Sequence, residues 1–259
     1  MIRTGDPGAL FAFFVEVLQL PVAWPLMSPR DGVMTGGVSF GNVNVEAIQF
    51  PGQTDNRPQL IGFALEPSEL GASLKEMNRR GLTYGPLRPV VSKASDGSAT
   101  TLWTNVTLRQ FSDSDNPADA TVHIFLSEYN QAYVNVAERS ALLRRQLLAK
   151  DGGPLGIEAV QELVMGQKDL EAGRAIWQTL LAPTAASDRT VWPLGEGPAV
   201  RLVAAKTNSV QQLVIRVASL QRAKSFLRKK GFLGIDSPEE ATIDSTKLNG
   251  LDFRLVEAR

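Results

Sequence analysis

The sequence predicts an α+β protein in which one unit, a helix flanked by strands, is used four times. Two segments, 8–21 and 169–183, both place apolar residues at helical spacing and end at a proline. Asp169, the first residue of the second segment, is typical of a helix N-cap. Two others, 69–82 and 219–232, both end with a glycine and an apolar residue, as helix ends often do. Short runs typical of strands lie around all four segments, so the plan is strand, helix, then further strands.

Composition indicates a water-soluble globular protein. The 259 residues are 43% hydrophobic and 21% charged, which allows two ordinary domains. A formal charge of zero gives no electrostatic case for binding nucleic acid or a membrane surface. There is no cysteine, which excludes disulfides, thiolate catalysis and cysteine-bound zinc. We expect a cytoplasmic protein.

The apolar run 9–20 could be mistaken for a secretory signal. Glu16 interrupts it, and its apolar residues recur at helical spacing, which favours an amphipathic helix. No other stretch approaches the roughly 20 apolar residues that cross a bilayer.

Turn residues divide the predicted elements into two domains and a connector. We expect one domain at 1–129, a helical connector at 130–153, which ends in Asp151-Gly152-Gly153, and a second domain at 154–259. The predicted strands are 22–27, 33–40, 43–50, 60–65, 100–108, 120–127, 157–165, 190–192, 199–205, 211–217, 241–244 and 251–256, and the predicted helices lie within 9–20, 67–81, 131–150, 170–181 and 219–230.

This repeat resembles the vicinal oxygen chelate superfamily, which includes glyoxalase I, extradiol dioxygenases and bleomycin-resistance proteins. The likeness rests on the helix pattern that ends at Leu20-Pro21 and on the segments 197–203 and 213–223 in the second half. It implies tandem βαβββ units that form two glyoxalase-like half-barrel domains, each curled around a cup. Only residues 2–4 represent the first strand of the N-terminal unit, which is therefore largely missing. We expect an open sheet edge there, which a homodimer would cover.

In this superfamily, the metal-dependent members hold a divalent ion with His, Glu or Gln from the first and last strands of each unit. In the first domain the resemblance places Glu46 and His123 at such positions, as metal ligands or as catalytic acid and base. In the second domain Glu162 lies near a ligand position. The partner position holds Arg201 or Leu202, and an arginine binds anions rather than metals.

Two tryptophans are further candidates for contact with a ligand. Trp24 and Trp103 lie on or near strands of the first domain, where cupped sheets use aromatic residues to cover flat ligands. Packing in the core is the alternative for both. Trp177 occupies the helix position of Phe14 in the first copy and is predicted to be core, while Trp192 is left undecided.

Three functions follow from this incomplete ligand set. A metal-free protein that binds a small apolar or aromatic molecule in a sheet-lined cup, with Trp24, Trp103, Glu162 and Arg201 as ligand contacts, is favoured. The alternative is a lyase, isomerase or dioxygenase of the vicinal oxygen chelate type that uses Fe, Mn, Ni, Co or Zn held by Glu46 and His123. The third is a scaffold without a ligand. Whether the chain is an enzyme stays open.

Overall fold

The computed structural model describes residues 1–30, 32–94 and 96–257. Within this part of the chain, five α-helices accompany sixteen strands in three sheets. The helices are α1 Pro7–Ala12, which continues as a π-helical turn over Phe13–Val17, α2 Leu70–Arg79, α3 Val136–Leu148, α4 Leu170–Leu181 and α5 Leu220–Lys230, and a 3-10 turn spans Ser245–Leu248. The strands are β1 Ile2–Arg3, β2 Val22–Arg30, β3 Val33–Ser39, β4 Asn44–Gln49, β5 Gln59–Leu60, β6 Gly62–Leu65, β7 Arg88–Lys93, β8 Ala99–Thr107, β9 His123–Tyr129, β10 Ile157–Gln167, β11 Val191–Trp192, β12 Ala199–Ala204, β13 Ser209–Val217, β14 Leu233–Asp236, β15 Glu240–Ile243 and β16 Phe253–Glu257.

One segment of the N-terminal half, 59–65, joins the first two sheets. The first sheet has the order β2-β3-β4-β1-β5 and the second the order β6-β9-β8-β7. β5 pairs antiparallel with β1, whereas β6 pairs in parallel with β9. β4 likewise returns in parallel beside β1. Both units therefore follow the predicted βαβββ plan.

The first strand is as short as the sequence predicts, but it leaves no open edge. β1 pairs with β4 on one side and with β5 on the other. The expectation of an open edge at this strand is therefore wrong, because even two residues satisfy both neighbours. The homodimer stays a prediction without that argument.

The third sheet, with the order β11-β12-β10-β13-β16-β15-β14, contains the two C-terminal units. β10 pairs in parallel with β12, β13 pairs in parallel with β16, and the central strands β10 and β13 are antiparallel. In the third unit only two strands follow the helix, since turns and bends occupy the described segment 182–190, where Arg189 has φ +70°. This unit departs from the expected plan.

Polar side chains fix where the helices begin. Asp169 and Ser219 each accept a hydrogen bond from the backbone N–H three residues further on, at 2.9 and 3.2 Å. The predicted cap at Asp169 is confirmed. Gly231, with φ +71°, ends α5 in the left-handed conformation that glycine adopts without strain.

Aromatic side chains pack the two halves together. Phe14 contacts Phe253 of the third sheet, with ring centroids 6.0 Å apart. In return, Trp177 on α4 contacts Phe63 of the second sheet at 6.2 Å and Phe111 at 4.7 Å. Trp177 is therefore core, as predicted, and the helical layer lies between the sheets of the two halves.

A turn of the first half also reaches the third sheet. The Asn42 amide donates to the Val160 carbonyl at 2.9 Å and accepts from the Val160 N–H at 2.8 Å. The neighbouring Gly41 has φ +98°, and a Cβ there would lie 2.6 Å from the Glu158 carbonyl oxygen. This close approach requires glycine.

No helix in the described ranges combines the length and the apolar character needed to cross a membrane.

Candidate functional site

Successive residues of each strand point to opposite faces, and one face of the first two sheets turns away from the helices. On β4, Val45 and Ala47 belong to the main core, so Glu46 points to the other face. On β9, Ile124 and Leu126 belong to that core, so Tyr129 points to the same face as Glu46.

Side chains on distant strands of the first two sheets share one neighbour, Arg139 of α3, which indicates that the sheets curve toward each other. β2 and β9 are five strand steps apart in sheet order, which is about 24 Å in a flat sheet at ~4.8 Å per step. Arg139 on α3 nevertheless lies over the indole of Trp24 on β2, 5.5 Å from the ring centroid. Burial raises the pKa of Tyr129 on β9, and the charge of Arg139 acts on the same phenol in the opposite direction. Arg139 thus contacts Trp24 on β2 and acts electrostatically on Tyr129 on β9.

We call this concave surface the N-terminal cup. It consists of residues from the two sheets and one from the connecting helix: Trp24, Thr35, Glu46, Trp103, Asn105, Tyr129 and Arg139.

A chain of contacts leads from α3 to the Glu46 carboxylate. The Trp24 ring lies against Gly37, where a Cβ would be 2.5 Å from the ring, and the Arg139 guanidinium also lies over this ring. The Trp24 indole N–H donates to the Thr35 hydroxyl at 3.4 Å. That hydroxyl in turn donates to Glu46 Oε1 at 2.6 Å. The first wall of the cup, formed by β2, β3 and β4, therefore presents an indole and a carboxyl group that are linked through Thr35.

Burial raises the pKa of the Glu46 carboxyl above its ordinary value of 4.5. The hydrogen bond from Thr35 and the charge of the Met1 amino group act in the opposite direction. That amino group also donates to the Gly62 carbonyl at 2.9 Å. Glu46 thus favours its protonated form more than an exposed glutamate does.

The second wall pairs Trp103 with Tyr129 across β8 and β9, with ring centroids 6.0 Å apart. Asn105, two residues from Trp103, shares its face. The Asn105 side-chain oxygen is buried and has no hydrogen-bond partner among the described residues. Buried acceptors are normally paired, so this oxygen marks a place for a donor.

His123, the other predicted ligand, shares the face of Tyr129 on β9 but lies six residues away along the strand, and its described contacts are with other groups. Its Nδ1 is 3.3 Å from the Ser114 carbonyl, and its ring contacts Phe125 at 5.1 Å. Burial lowers the pKa of His123, the hydrogen bond to Ser114 raises it, and the charges around the ring are those of Arg88, Asp115 and Asp113.

Apolar side chains and the Met1 amino group, which donates to the Gly62 carbonyl and acts on the Glu46 carboxyl, lie between Glu46 and His123, and this lining does not fit a divalent ion. β1 and the segment 59–65 separate the two strands, and a second cluster of buried residues that includes Ile48 and Ile61 covers this region. Divalent ions need several oxygen, nitrogen or sulfur ligands, which hydrocarbon side chains do not provide. In the described residues, no three His, Cys, Asp or Glu side chains are grouped to hold a metal. The metal role of this pair stays a prediction.

In the third sheet, Glu162 and Arg201 bind each other. Arg201 Nε and Nη2 donate to the two Glu162 carboxylate oxygens, each at 2.7 Å, and Nη1 lies 3.3 Å from Asp188. The Glu162 side chain is 10% exposed and that of Arg201 34%. The two-point anion contact expected of Arg201 is therefore made to Glu162, and a ligand role for either residue stays a prediction.

A polar cleft of about 350 Å³ lies by Arg3, Asp55 and Asp119. The Arg3 guanidinium there already donates to the Ala118 and Ala120 carbonyls, both at 2.9 Å. We therefore place the candidate site in the N-terminal cup, where an acceptor is unpaired.

The sequence predicted Glu46, Trp24 and Trp103, which the structure brings to one face, but not Thr35, Asn105, Tyr129 or Arg139. For Arg139 a signal exists. Leu143 and Leu147, four and eight residues further along α3, are both buried, so Arg139 is a charged residue on the buried face of the helix.

No protein-family model matches the chain, and no curated protein matches its sequence. Solved structures do match. A hypothetical protein from Staphylococcus aureus is similar with a TM-score of 0.61 at 8% identity, over 100% of both chains. Homoprotocatechuate 2,3-dioxygenase from Arthrobacter globiformis is similar with a TM-score of 0.57 at 12% identity, over 99% of this chain and 77% of that one.

The Mn(II)-bound glyoxalase from Novosphingobium aromaticivorans is similar with a TM-score of 0.57 at 11% identity, over 99% of this chain and 79% of that one. The chain therefore has a glyoxalase-like and dioxygenase-like fold. At these identities the likeness concerns the fold.

Proposed function

We propose that the chain binds a small apolar or aromatic molecule in the N-terminal cup, without a metal ion. The observation that carries this proposal is the meeting of Trp24, Trp103 and Tyr129 on one concave face, each partly exposed rather than sealed in the core. Aromatic walls favour flat ligands, and Glu46 and Asn105 supply the few polar groups that orient a bound molecule.

The four tryptophans allow a test with an internal reference. Trp177 and Trp192 are each 1% exposed, whereas the other two line the cup. We would record the four indole N–H signals by NMR while adding phenol, benzoate or benzamidinium, which share a ring and differ in charge. Trp24→Phe and Trp103→Phe assign the signals.

Saturable movement of the Trp24 and Trp103 signals, with those of Trp177 and Trp192 unmoved, supports the proposal. If none of the three probes moves the cup signals saturably, the proposal is wrong.

Metal analysis tests the alternative of a divalent-metal enzyme. After incubation with Mn, Fe, Co, Ni and Zn and then desalting, we expect mass spectrometry to find no more metal on the chain than on Glu46→Ala or His123→Ala, because apolar side chains lie between the two residues. Stoichiometric metal that both substitutions remove would restore the enzyme hypothesis.

A further inference from the structure

A side chain of the protein itself occupies the place over Trp24. Arg139 lies with its guanidinium over the indole, 5.5 Å from the centroid, and donates a hydrogen bond to the Ala23 carbonyl. A guanidinium is a flat cation, and the face of an indole is the aromatic surface that attracts cations most strongly. This contact shows that the indole face of Trp24 binds a flat cation.

The surroundings of the cup are rich in acceptors. The Glu46 carboxylate lies at the end of the hydrogen-bonded chain from Trp24, and the buried Asn105 oxygen has no partner among the described residues. Burial raises the pKa of Tyr129, and the negative charges of Glu66 and Glu46 raise it further. The ionised forms of both carboxylates therefore act on the space beside this phenol, where N–H donors with positive charge are favoured. A cation bound there would in turn favour the ionised form of Glu46, which burial otherwise disfavours.

We propose that the cup selects a flat organic cation, such as an amidinium, a guanidinium or a protonated heteroaromatic ring, which replaces the Arg139 guanidinium over Trp24. This inference rests on the proposed function and names its ligand class. Arg139 belongs to α3, which connects the two halves of the chain. Because its guanidinium already lies over Trp24, Arg139 acts as an internal competitor for the site. Binding requires that the guanidinium leave the indole.

The test compares benzamidinium with phenol and benzoate in the parent chain and in Arg139→Ala, with Arg139→Gln as a second variant that retains the stem of the side chain. Dissociation constants come from the Trp24 indole signal. A cation–π contact contributes about 0.5–2 kcal/mol, so removal of the competitor is expected to tighten benzamidinium binding about 2- to 30-fold. Arg144→Ala, at an exposed position of the same helix, is the matched control and should leave affinity unchanged.

The expected order in the parent chain is benzamidinium, then phenol, then benzoate, and Glu46→Gln should weaken benzamidinium alone. If phenol or benzoate binds as tightly as benzamidinium, or if neither Arg139 variant tightens its binding, the cation proposal is wrong while the proposed function stands. If no probe binds, both are wrong.

Discussion

Glu46 holds a carboxyl group in a position where ionisation is disfavoured. Burial raises its pKa above 4.5, so the folded chain binds this proton more tightly than the unfolded chain does. The resulting contribution to stability is fully present below pH 4.5 and is lost as the pH rises through the raised pKa.

Glu46→Gln is therefore expected to gain stability relative to the parent chain as the pH rises from about 4.5 to 8, because the amide remains neutral. Urea unfolding at several pH values measures the difference. Glu16→Gln, at an exposed position near the chain start, is the control. A difference between Glu46→Gln and the parent that stays constant over this range would contradict the prediction.

Residue type and alternation on strands made some of the cup predictable from sequence. Glu46 alternates with Val45 and Ala47, and that pattern alone assigns it to the face opposite the core. Tyr129 and Arg139 were missed, because their importance depends on how far the sheet curls and on where the connector crosses it. Neither is a local property of the chain.

At the scale of elements, β10 and β12 are held together by side chains as well as by their ladder. The Glu162–Arg201 pair makes two charge-assisted hydrogen bonds beside the parallel pairing of these strands. Exposed ion pairs contribute little to stability, whereas removal of one partner from a buried pair is costly because the other charge is left unpaired.

Glu162→Gln should lower the free energy of unfolding by about 2 kcal/mol, since Arg201 loses its two-point partner in a mostly buried position. Glu158→Gln is the matched control, because its ion pair with Arg216 is exposed and should contribute under about 1 kcal/mol. Denaturant unfolding of both variants measures the two losses of unfolding free energy. Equal losses would show that burial of Glu162 is not the cause.

Elements with clear caps and periodicity were predicted, and those without were missed. α4 has its cap at Asp169 and its buried Trp177 where the pattern places them. The edge strand β7 contains Pro89, which lacks the N–H that a ladder needs and hides the strand pattern. β14, the other edge strand that was missed, is four residues long, too short to show alternation clearly.

At the scale of the whole molecule, Asn42 joins the first half to the third sheet. Its amide satisfies both backbone groups of Val160, which is 1% exposed, beside a register irregularity between β10 and β13. The Asn42 amide thus completes the backbone hydrogen bonding of β10 at a point where the pairing of β10 with β13 is irregular.

Asn42→Ala is expected to cost about 2 kcal/mol of unfolding free energy, because it leaves a buried N–H and a buried carbonyl without this partner. Asn44→Ala, at an exposed position of the same turn region, should change stability by under about 0.5 kcal/mol. Urea unfolding compares them. A loss for Asn42→Ala no larger than that of Asn44→Ala would contradict this role.

The same contact has a consequence for the order of folding. Asn42 and Val160 are 118 residues apart in the chain. Closing so long a loop costs more conformational entropy than forming a local contact does. This pair is therefore expected to form after the main folding barrier. Its loss should then leave the refolding rate nearly unchanged and speed unfolding instead. Asn42 would therefore set how long the two halves stay together more than how quickly they meet.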